Sequence, residues 1–154
     1  MDDLDLRLHR VLKAPRKLVW ECWTTPAHMK HWFIPRPHEI PEIVMDLRPG
    51  GRFFTLMRVN GQDHPNDGSI LHVDPGRQLV FTDLLLADWK PVDQPGLGFT
   101  AILTLADHPD GTDYTAVARH RTPESCRRHE EMGFHDGWGT VATQLEAYAQ
   151  GLVR

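Results

Sequence analysis

The chain opens with alternating hydrophobic and polar positions. Leu4, Leu6 and Leu8 are separated by Asp5 and Arg7. Successive side chains of a strand point to opposite faces, so this two-residue period predicts a first strand with one buried face.

Two short helices are predicted after this strand. The first starts near Ala14-Pro15, because proline suits the first helical position. Pro26 starts the second, and Pro35 and Pro37 end it because proline lacks the amide that a helix needs. Apolar residues at helical spacing mark the first helix: Leu18, Val19, Cys22 and Trp23.

From Glu42 to Leu105, short apolar runs alternate with turn signals. Asn60-Gly61 and Pro75-Gly76 are typical of tight turns between strands. The region predicts a meander of five strands over residues 42–48, 52–59, 69–74, 78–86 and 98–105. A turn at residues 108–111 leads to a last strand over 113–120, which brings the predicted number to seven.

After Thr122-Pro123-Glu124 the hydrophobic spacing becomes helical. The order of elements predicts an α+β fold, in which a curved antiparallel sheet of about seven strands surrounds one long C-terminal helix and the two short helices plug one end. A space between sheet and helix is then expected. The apolar stripe of this helix comprises Phe134, Trp138, Val141, Leu145, Tyr148 and Leu152.

Composition narrows the class of protein. The 154 residues, 40% hydrophobic and 25% charged, indicate a single folded domain over residues 1–154. A net charge of −4, with 17 basic residues scattered among 21 acidic ones, argues against a nucleic-acid partner. No apolar run approaches the roughly 20 residues of a membrane-spanning helix. Two cysteines and an N-terminus without a signal-peptide pattern predict a cytoplasmic protein.

Three segments together carry a family resemblance: residues 14–33, 46–53 (DLRPGGRF) and 129–149. They resemble the START-like helix-grip superfamily and, within it, the branch named for the activator of a heat-shock-protein ATPase. The resemblance covers nearly the whole chain and implies the helix-grip fold. Superfamily members include lipid carriers, hormone receptors and aromatase/cyclases, so the fold alone does not define the function.

The branch name raises the question of a chaperone partner. In the co-chaperone that gives the branch its name, a separate N-terminal domain accompanies this module, whereas this chain begins directly at strand one. We therefore do not expect direct chaperone activation. A surface interaction with a chaperone remains an alternative, and the edge strands of the sheet could pair into a homodimer.

The leading hypothesis is a cavity that binds an apolar or aromatic small molecule between the sheet and the terminal helix. The face of the third strand that carries Phe53 and Met57 is assigned to this cavity, and the loop at 87–98 is the expected entrance. His120 or Arg119 is expected to contact the polar end of the ligand. The candidate ligand-binding residues are Trp32, Phe33, Met45, Phe53, Met57, Trp89, Phe99, His120, Met132, Phe134, Trp138 and Val141. Ordinary core packing is the open alternative for the aromatic and methionine residues.

Gly133, Gly137 and Gly139 fall in the predicted first turns of the terminal helix, where each costs about 1 kcal/mol relative to alanine. Two explanations stay open. The missing side chains either leave space for a ligand or a kink beside Trp138, or allow the helix to approach the sheet closely.

Catalysis is a secondary hypothesis. His120 with Asp83 or His135-Asp136 could form an acid–base pair for a cyclase or hydrolase, but the chain has neither a GxSxG motif nor a phosphate-binding loop. We therefore expect binding rather than catalysis.

Histidines near the terminal helix raise the possibility of a metal site. His120, His129 and His135 lie near Cys126 and near Glu130 and Glu131. His129 and His135 are six residues apart, whereas an HExxH zinc site places its histidines four apart. We expect neither a metal ion nor a cofactor.

Overall fold

The computed structural model describes residues 4–152. Helices and strands follow one another in an α+β order. The strands are β1 (Asp5–Leu12), β2 (Glu39–Met45), β3 (Arg52–Val59), β4 (Gln62–Asp74), β5 (Gln78–Thr82), β6 (Leu85–Leu86), β7 (Lys90–Pro91), β8 (Phe99–His108) and β9 (Gly111–His120). The helices are α1 (Arg16–Thr24), α2 (Pro26–Met29), α3 (Pro123–Glu131) and α4 (Phe134–Gly151).

Seven strands form one antiparallel sheet in the order β1-β9-β8-β5-β4-β3-β2. From β2 to β9, each strand of this sheet pairs with the sheet strand that follows it along the chain, and β1 forms the edge beside β9, opposite to β2. The short strands β6 and β7 form a separate ribbon in the connection between β5 and β8. The predicted helix-grip fold with a sheet of seven strands is confirmed.

Two predicted strands have different limits in the structure. The strand predicted over 78–86 ends at Thr82, because the Thr82 hydroxyl accepts the amide of Leu84 and turns the chain away from the sheet. The strand predicted over 69–74 already begins at Gln62. Asn60-Gly61 forms a tight hairpin there, so the polar residues after it pair directly with β3.

The single C-terminal helix of the prediction is two helices in the structure. Thr122 caps α3 by accepting the amide of Ser125 at 3.1 Å. Gly133 then adopts φ +97° between α3 and α4, a left-handed conformation that interrupts the helical hydrogen bonds. Gly133 is therefore a junction rather than a residue of the terminal helix. None of the helices within residues 4–152 has the length and hydrophobicity needed to cross a membrane.

The core contains two tryptophans whose indole N–H groups are both satisfied. Trp23 and Trp32 are fully buried and meet edge to face, with ring centroids 5.1 Å apart. Trp23 donates to the Tyr114 hydroxyl at 3.3 Å, and Trp32 donates to the Cys22 carbonyl at 3.2 Å. These rings can be buried without leaving an unpaired donor.

One side chain of α4 holds the segment that follows α2. The Gln144 amide donates to the carbonyls of Trp32 and Ile34 at 3.0 and 2.8 Å, and its oxygen accepts the amide of Arg36 at 3.0 Å. An irregular segment needs partners for its backbone groups when it is covered by a helix. Gln144 thus fixes residues 32–36 beside α4.

The helices cover the concave face of the sheet unevenly. Helix α4 packs mainly against β1 and α1, while α1 packs against β8 and β9. The face formed by β3, β4 and β5 lies beyond these contacts. Space remains between that part of the sheet and the first turns of α4.

Gly68 lies where β4 crosses the end of β5. A Cβ atom at this position would be 2.2 Å from the Thr82 carbonyl oxygen, a distance that requires backbone movement. By contrast, a Cβ atom at Gly137 in α4 would meet no atom within 4 Å.

We predict opposite effects of alanine at these two glycines. Gly68→Ala is expected to lower the free energy of unfolding by about 1 to 3 kcal/mol because the backbone must shift. Gly137→Ala is expected to raise it by about 0.5 to 1 kcal/mol because alanine favours the helix. Urea unfolding of both variants measures the difference, and a Gly68→Ala variant as stable as the original protein contradicts the prediction.

Candidate ligand-binding cavity

A partly enclosed cavity of about 310 Å³ lies over the part of the sheet that the helices leave uncovered. Strands β3, β4, β5 and β8 form one wall, and α3, α4 and the segment at 33–35 form the other. The volume is at the lower end of the range for small-molecule sites, about 300 to 1,000 Å³. A cavity of this volume suits a ligand the size of one or two aromatic rings.

Aromatic rings dominate the cavity wall. On the sheet side, Phe53 and Phe81 meet edge to face with centroids 4.8 Å apart. On the helix side, Trp138 stacks on Phe134 at 5.6 Å. Such ring pairs hold each other in defined orientations, so the wall has a fixed shape. Its large apolar side chains are Phe33, Phe53, Met57, Phe81, Phe99 and Trp138.

Gly137 and Gly139 of α4 have different surroundings. Gly137 lines the cavity and has open space where a side chain would be. At Gly139, a Cβ atom would lie 3.0 Å from the Arg10 guanidinium on β1. The first glycine leaves room in the cavity, whereas the neighbour of the second is the end of a flexible arginine side chain rather than the backbone of the sheet.

Half of the twelve predicted ligand-binding residues lie on the cavity wall. The assignment of the Phe53 and Met57 face to the interior agrees with the geometry. The six residues that the structure brings together are Phe33, Phe53, Met57, Phe99, Trp138 and Val141.

Three of the remaining candidates lie behind the wall. Trp32 is fully buried against Trp23, so it belongs to the core rather than to the cavity. Phe134 is 2% exposed and supports Trp138 from behind. Met45 packs against the core from β2, the edge strand of the sheet.

Two candidates lie outside the cavity. Met132 directly follows α3 and is 67% exposed. Trp89 is 53% exposed, and its indole covers Gly50 in the turn before β3. The loop at 87–98 reaches the cavity through Leu97 instead.

Asp83 holds the end of this loop. Its carboxylate accepts three backbone amides, from Leu97 and Gly98 at 3.1 Å and from Phe99 at 2.9 Å. Hydrogen bonds to an ionised group are stronger than neutral ones. The predicted acid–base role of Asp83 is not supported by these contacts, because the carboxylate is engaged in holding the chain.

His120, the last candidate, is separated from the cavity by His129. His120 is 3% exposed, with Nδ1 at 2.8 Å from the Leu4 carbonyl and Nε2 at 2.8 Å from His129 Nδ1. His129, on α3, is the histidine that lines the cavity. Arg119, the other predicted polar contact, instead forms an ion pair with Asp5 at 2.8 Å on the outer side of the sheet.

Sequence reasoning considered His129 only as a metal ligand. The structure places it on α3 and His135 on α4, where His135 lies 3.6 Å from Glu130. Among residues 4–152, no group of three His, Cys, Asp or Glu side chains is placed to hold a metal ion.

Burial lowers the pKa of His129 from its usual 6.5 to about 4, and the neighbouring His120 acts in the same direction. A buried imidazolium loses its hydration, so the neutral form is favoured. His129 is 7% exposed. The imidazole is therefore neutral near pH 7.

Comparisons with known proteins place this geometry in a wider group. A family model described as Activator of Hsp90 ATPase homolog 1-like protein matches residues 13–150. A crystal structure of a Nitrosomonas europaea protein is 42% identical, with a TM-score of 0.94 over 98% of this chain and 97% of that chain. A Mycobacterium smegmatis protein is 25% identical, with a TM-score of 0.83 over 99% of this chain and 94% of that chain.

A more distant structure shares the fold. The AHSA1-like protein from Aeromonas hydrophila is 16% identical, with a TM-score of 0.73 over 96% of this chain and 92% of that chain. No curated protein matches the chain. The similar architecture therefore persists where sequence identity is low.

We predict that Asp83→Asn loosens the loop at 87–98. Asparagine keeps one acceptor oxygen but replaces the other with an NH2 group that cannot accept a backbone amide, so the free energy of unfolding is expected to fall by about 2 kcal/mol. Limited proteolysis is expected to cut this loop faster. Asp93→Asn, an exposed change in the same loop, is the control, and equal cleavage of the two variants contradicts the assignment.

We also predict that His129 makes the protein less stable in acid. Folded His129 binds its proton with a lower pKa than unfolded His129, so protons favour unfolding as the pH falls from 6.5 toward 4. The loss is on the order of 1 to 3 kcal/mol. Urea unfolding at both pH values is expected to show a smaller loss for His129→Phe than for the original protein. His135→Phe, at an exposed position, should keep the original pH dependence, and equal slopes in all three proteins would contradict the prediction.

Proposed function

We propose that this chain, which belongs to the family of Activator of Hsp90 ATPase homolog 1-like proteins, binds an apolar or aromatic small molecule between the sheet and α4. The family match and the fold confirm the resemblance that three sequence segments predicted. The observation that carries the proposal is the partly enclosed, aromatic-lined cavity of about 310 Å³. Burying a ligand's apolar surface there is favourable by about 25 cal/mol per Å² removed from water.

The glycine at the cavity wall supports a binding role. Gly137 lies in the second turn of α4, where alanine would stabilise the helix by about 1 kcal/mol. A methyl group would fit without contact, because no atom lies within 4 Å of its position. A binding site gives a reason to keep this volume empty, whereas core packing does not.

Two alternatives receive less support. The acid–base enzyme would rely on Asp83, whose carboxylate accepts three amides, and on His120, whose two ring nitrogens are both hydrogen bonded. A chaperone-associated module would act through its surface, and the cavity offers no support for that role. The proposal needs no cofactor and no nucleic acid.

The proposed location is the cytoplasm. The chain contains only two cysteines, and both are buried, which suits a reducing compartment. A homodimer formed through an edge strand of the sheet remains part of the proposal. Native mass spectrometry of protein purified from its own host tests the bound ligand and the oligomeric state together.

We predict that Gly137→Leu blocks the cavity without unfolding the protein. The new side chain would occupy the open volume beside Trp138, so binding of naphthalene is expected to weaken at least about tenfold, a change of about 1.4 kcal/mol. Titration followed by amide NMR spectra measures the binding, and urea unfolding checks the fold.

The matched control for this experiment is Gly151→Leu. This glycine also belongs to α4 and has no atom within 4 Å of a Cβ position, but it does not line the cavity. The control is expected to bind naphthalene as the original protein does. Unchanged binding by a folded Gly137→Leu variant would place the ligand elsewhere.

A further inference from the structure

A pair of histidines connects the backbone of the first strand to the cavity. His120 ends β9, and His129 belongs to α3 and lines the cavity wall. Their rings meet edge to face with centroids 5.0 Å apart. The rings of Phe99 and Phe134 lie 5.1 and 5.2 Å from His129, so its surroundings are largely apolar.

The Leu4 carbonyl determines where the protons of this pair lie. A carbonyl oxygen only accepts hydrogen bonds. It receives the backbone amide of His120 at 2.7 Å, and His120 Nδ1 lies 2.8 Å from it. His120 Nδ1 therefore carries a proton and donates to Leu4.

The same reasoning extends to the second ring. When His120 is neutral, only one of its ring nitrogens carries a proton, so its Nε2 is an acceptor. His129 Nδ1 lies 2.8 Å from that nitrogen and must donate to it. The proton of neutral His129 is thus on Nδ1, and its Nε2 presents a lone pair.

His129 Nε2 has no hydrogen-bond partner within the described part of the chain, although His129 is only 7% exposed. In that part of the chain, no side-chain nitrogen or oxygen is both completely buried and unpaired. Nε2 must therefore reach open space. The open space beside His129 is the cavity.

The charges around the cavity favour an uncharged ligand. The wall contains two carboxylates and neither lysine nor arginine. Asp67 forms a two-point ion pair with Arg52 at 3.1 and 3.2 Å, and Asp83 accepts three backbone amides. An anionic ligand would find no cation there and would meet the lone pair of a neutral histidine.

We propose that His129 Nε2 accepts a hydrogen bond from the ligand, so that the cavity selects uncharged aromatic molecules that carry a hydroxyl or N–H donor, such as phenols. This inference rests on the proposed binding function and adds the chemical class of the ligand. His120 acts as a positioning residue, because it fixes the tautomer of His129 through the Leu4 carbonyl. No bond is made or broken in this recognition.

The test compares three probes of similar size: 2-naphthol, naphthalene and 2-naphthoate. A net hydrogen bond contributes about 0.5 to 1.5 kcal/mol, so 2-naphthol is expected to bind about 2- to 12-fold more tightly than naphthalene. The anionic 2-naphthoate is expected to bind more weakly than naphthalene. Isothermal titration calorimetry near pH 7 measures all three.

Two variants separate His129 from general effects. His129→Phe keeps an aromatic ring but removes the acceptor, so it should bind 2-naphthol and naphthalene equally. His135→Phe, at an exposed histidine outside the cavity, should keep the preference for 2-naphthol. Equal binding of the two probes to the original protein overturns the inference but leaves the proposed function intact, whereas binding of neither probe overturns both.

A measurement on the unmodified protein does not depend on how the variants fold. Nitrogen-15 NMR of the imidazole rings is expected to show a protonated Nδ1 and an unprotonated Nε2 in both His120 and His129. Addition of 2-naphthol should shift the His129 Nε2 signal, and naphthalene should leave it nearly unchanged. A proton on His129 Nε2 in the free protein contradicts the inference.

Discussion

The concave apolar face of the sheet must be removed from water, and the helices are too few to cover all of it. Helix α4 packs on β1 and α1, and α1 reaches β8 and β9. On strands β3 and β5, the rings of Phe53 and Phe81 line the cavity, although Phe81 also reaches Trp23 of α1 with ring centroids 6.0 Å apart. The cavity is the geometric result of this incomplete cover. The same rings that would be poorly covered in a simple core form a wall suited to an apolar ligand.

Polar side chains hold the irregular segments that border this space. Gln144 satisfies the backbone of residues 32–36 from the helix side, and Asp83 satisfies three amides at the end of the long loop. Backbone groups in covered segments require such partners. Gln144 therefore holds the segment at 32–36 and Asp83 holds the loop end at Leu97. A hydrophobic pattern identifies neither side chain.

The elements of the fold could be predicted because their signals are local. Alternation at Leu4, Leu6 and Leu8, glycine turns and the helical stripe of α4 each depend on neighbours in sequence. The interruption of the helix at Gly133 was not predicted. The apolar stripe begins just after this residue, and the predicted terminal helix was extended back across it. Six of the twelve candidate ligand-binding residues line the cavity. His129 was considered only as a metal ligand, because its place at the cavity depends on a contact with His120 across two elements. Trp32 lies in the core, where its burial depends on the packing of α1.

The left-handed glycine between α3 and α4 separates two helices that contribute different parts of the cavity wall. His129 approaches the cavity from α3, while Gly137 and Trp138 approach it from α4. The chain changes direction at Gly133, between α3 and α4. Substitutions in α3 can therefore alter the polarity of the cavity, and substitutions in α4 can alter its size. Under the proposed binding function, the polarity and the size of the cavity can therefore change independently while the sheet stays the same.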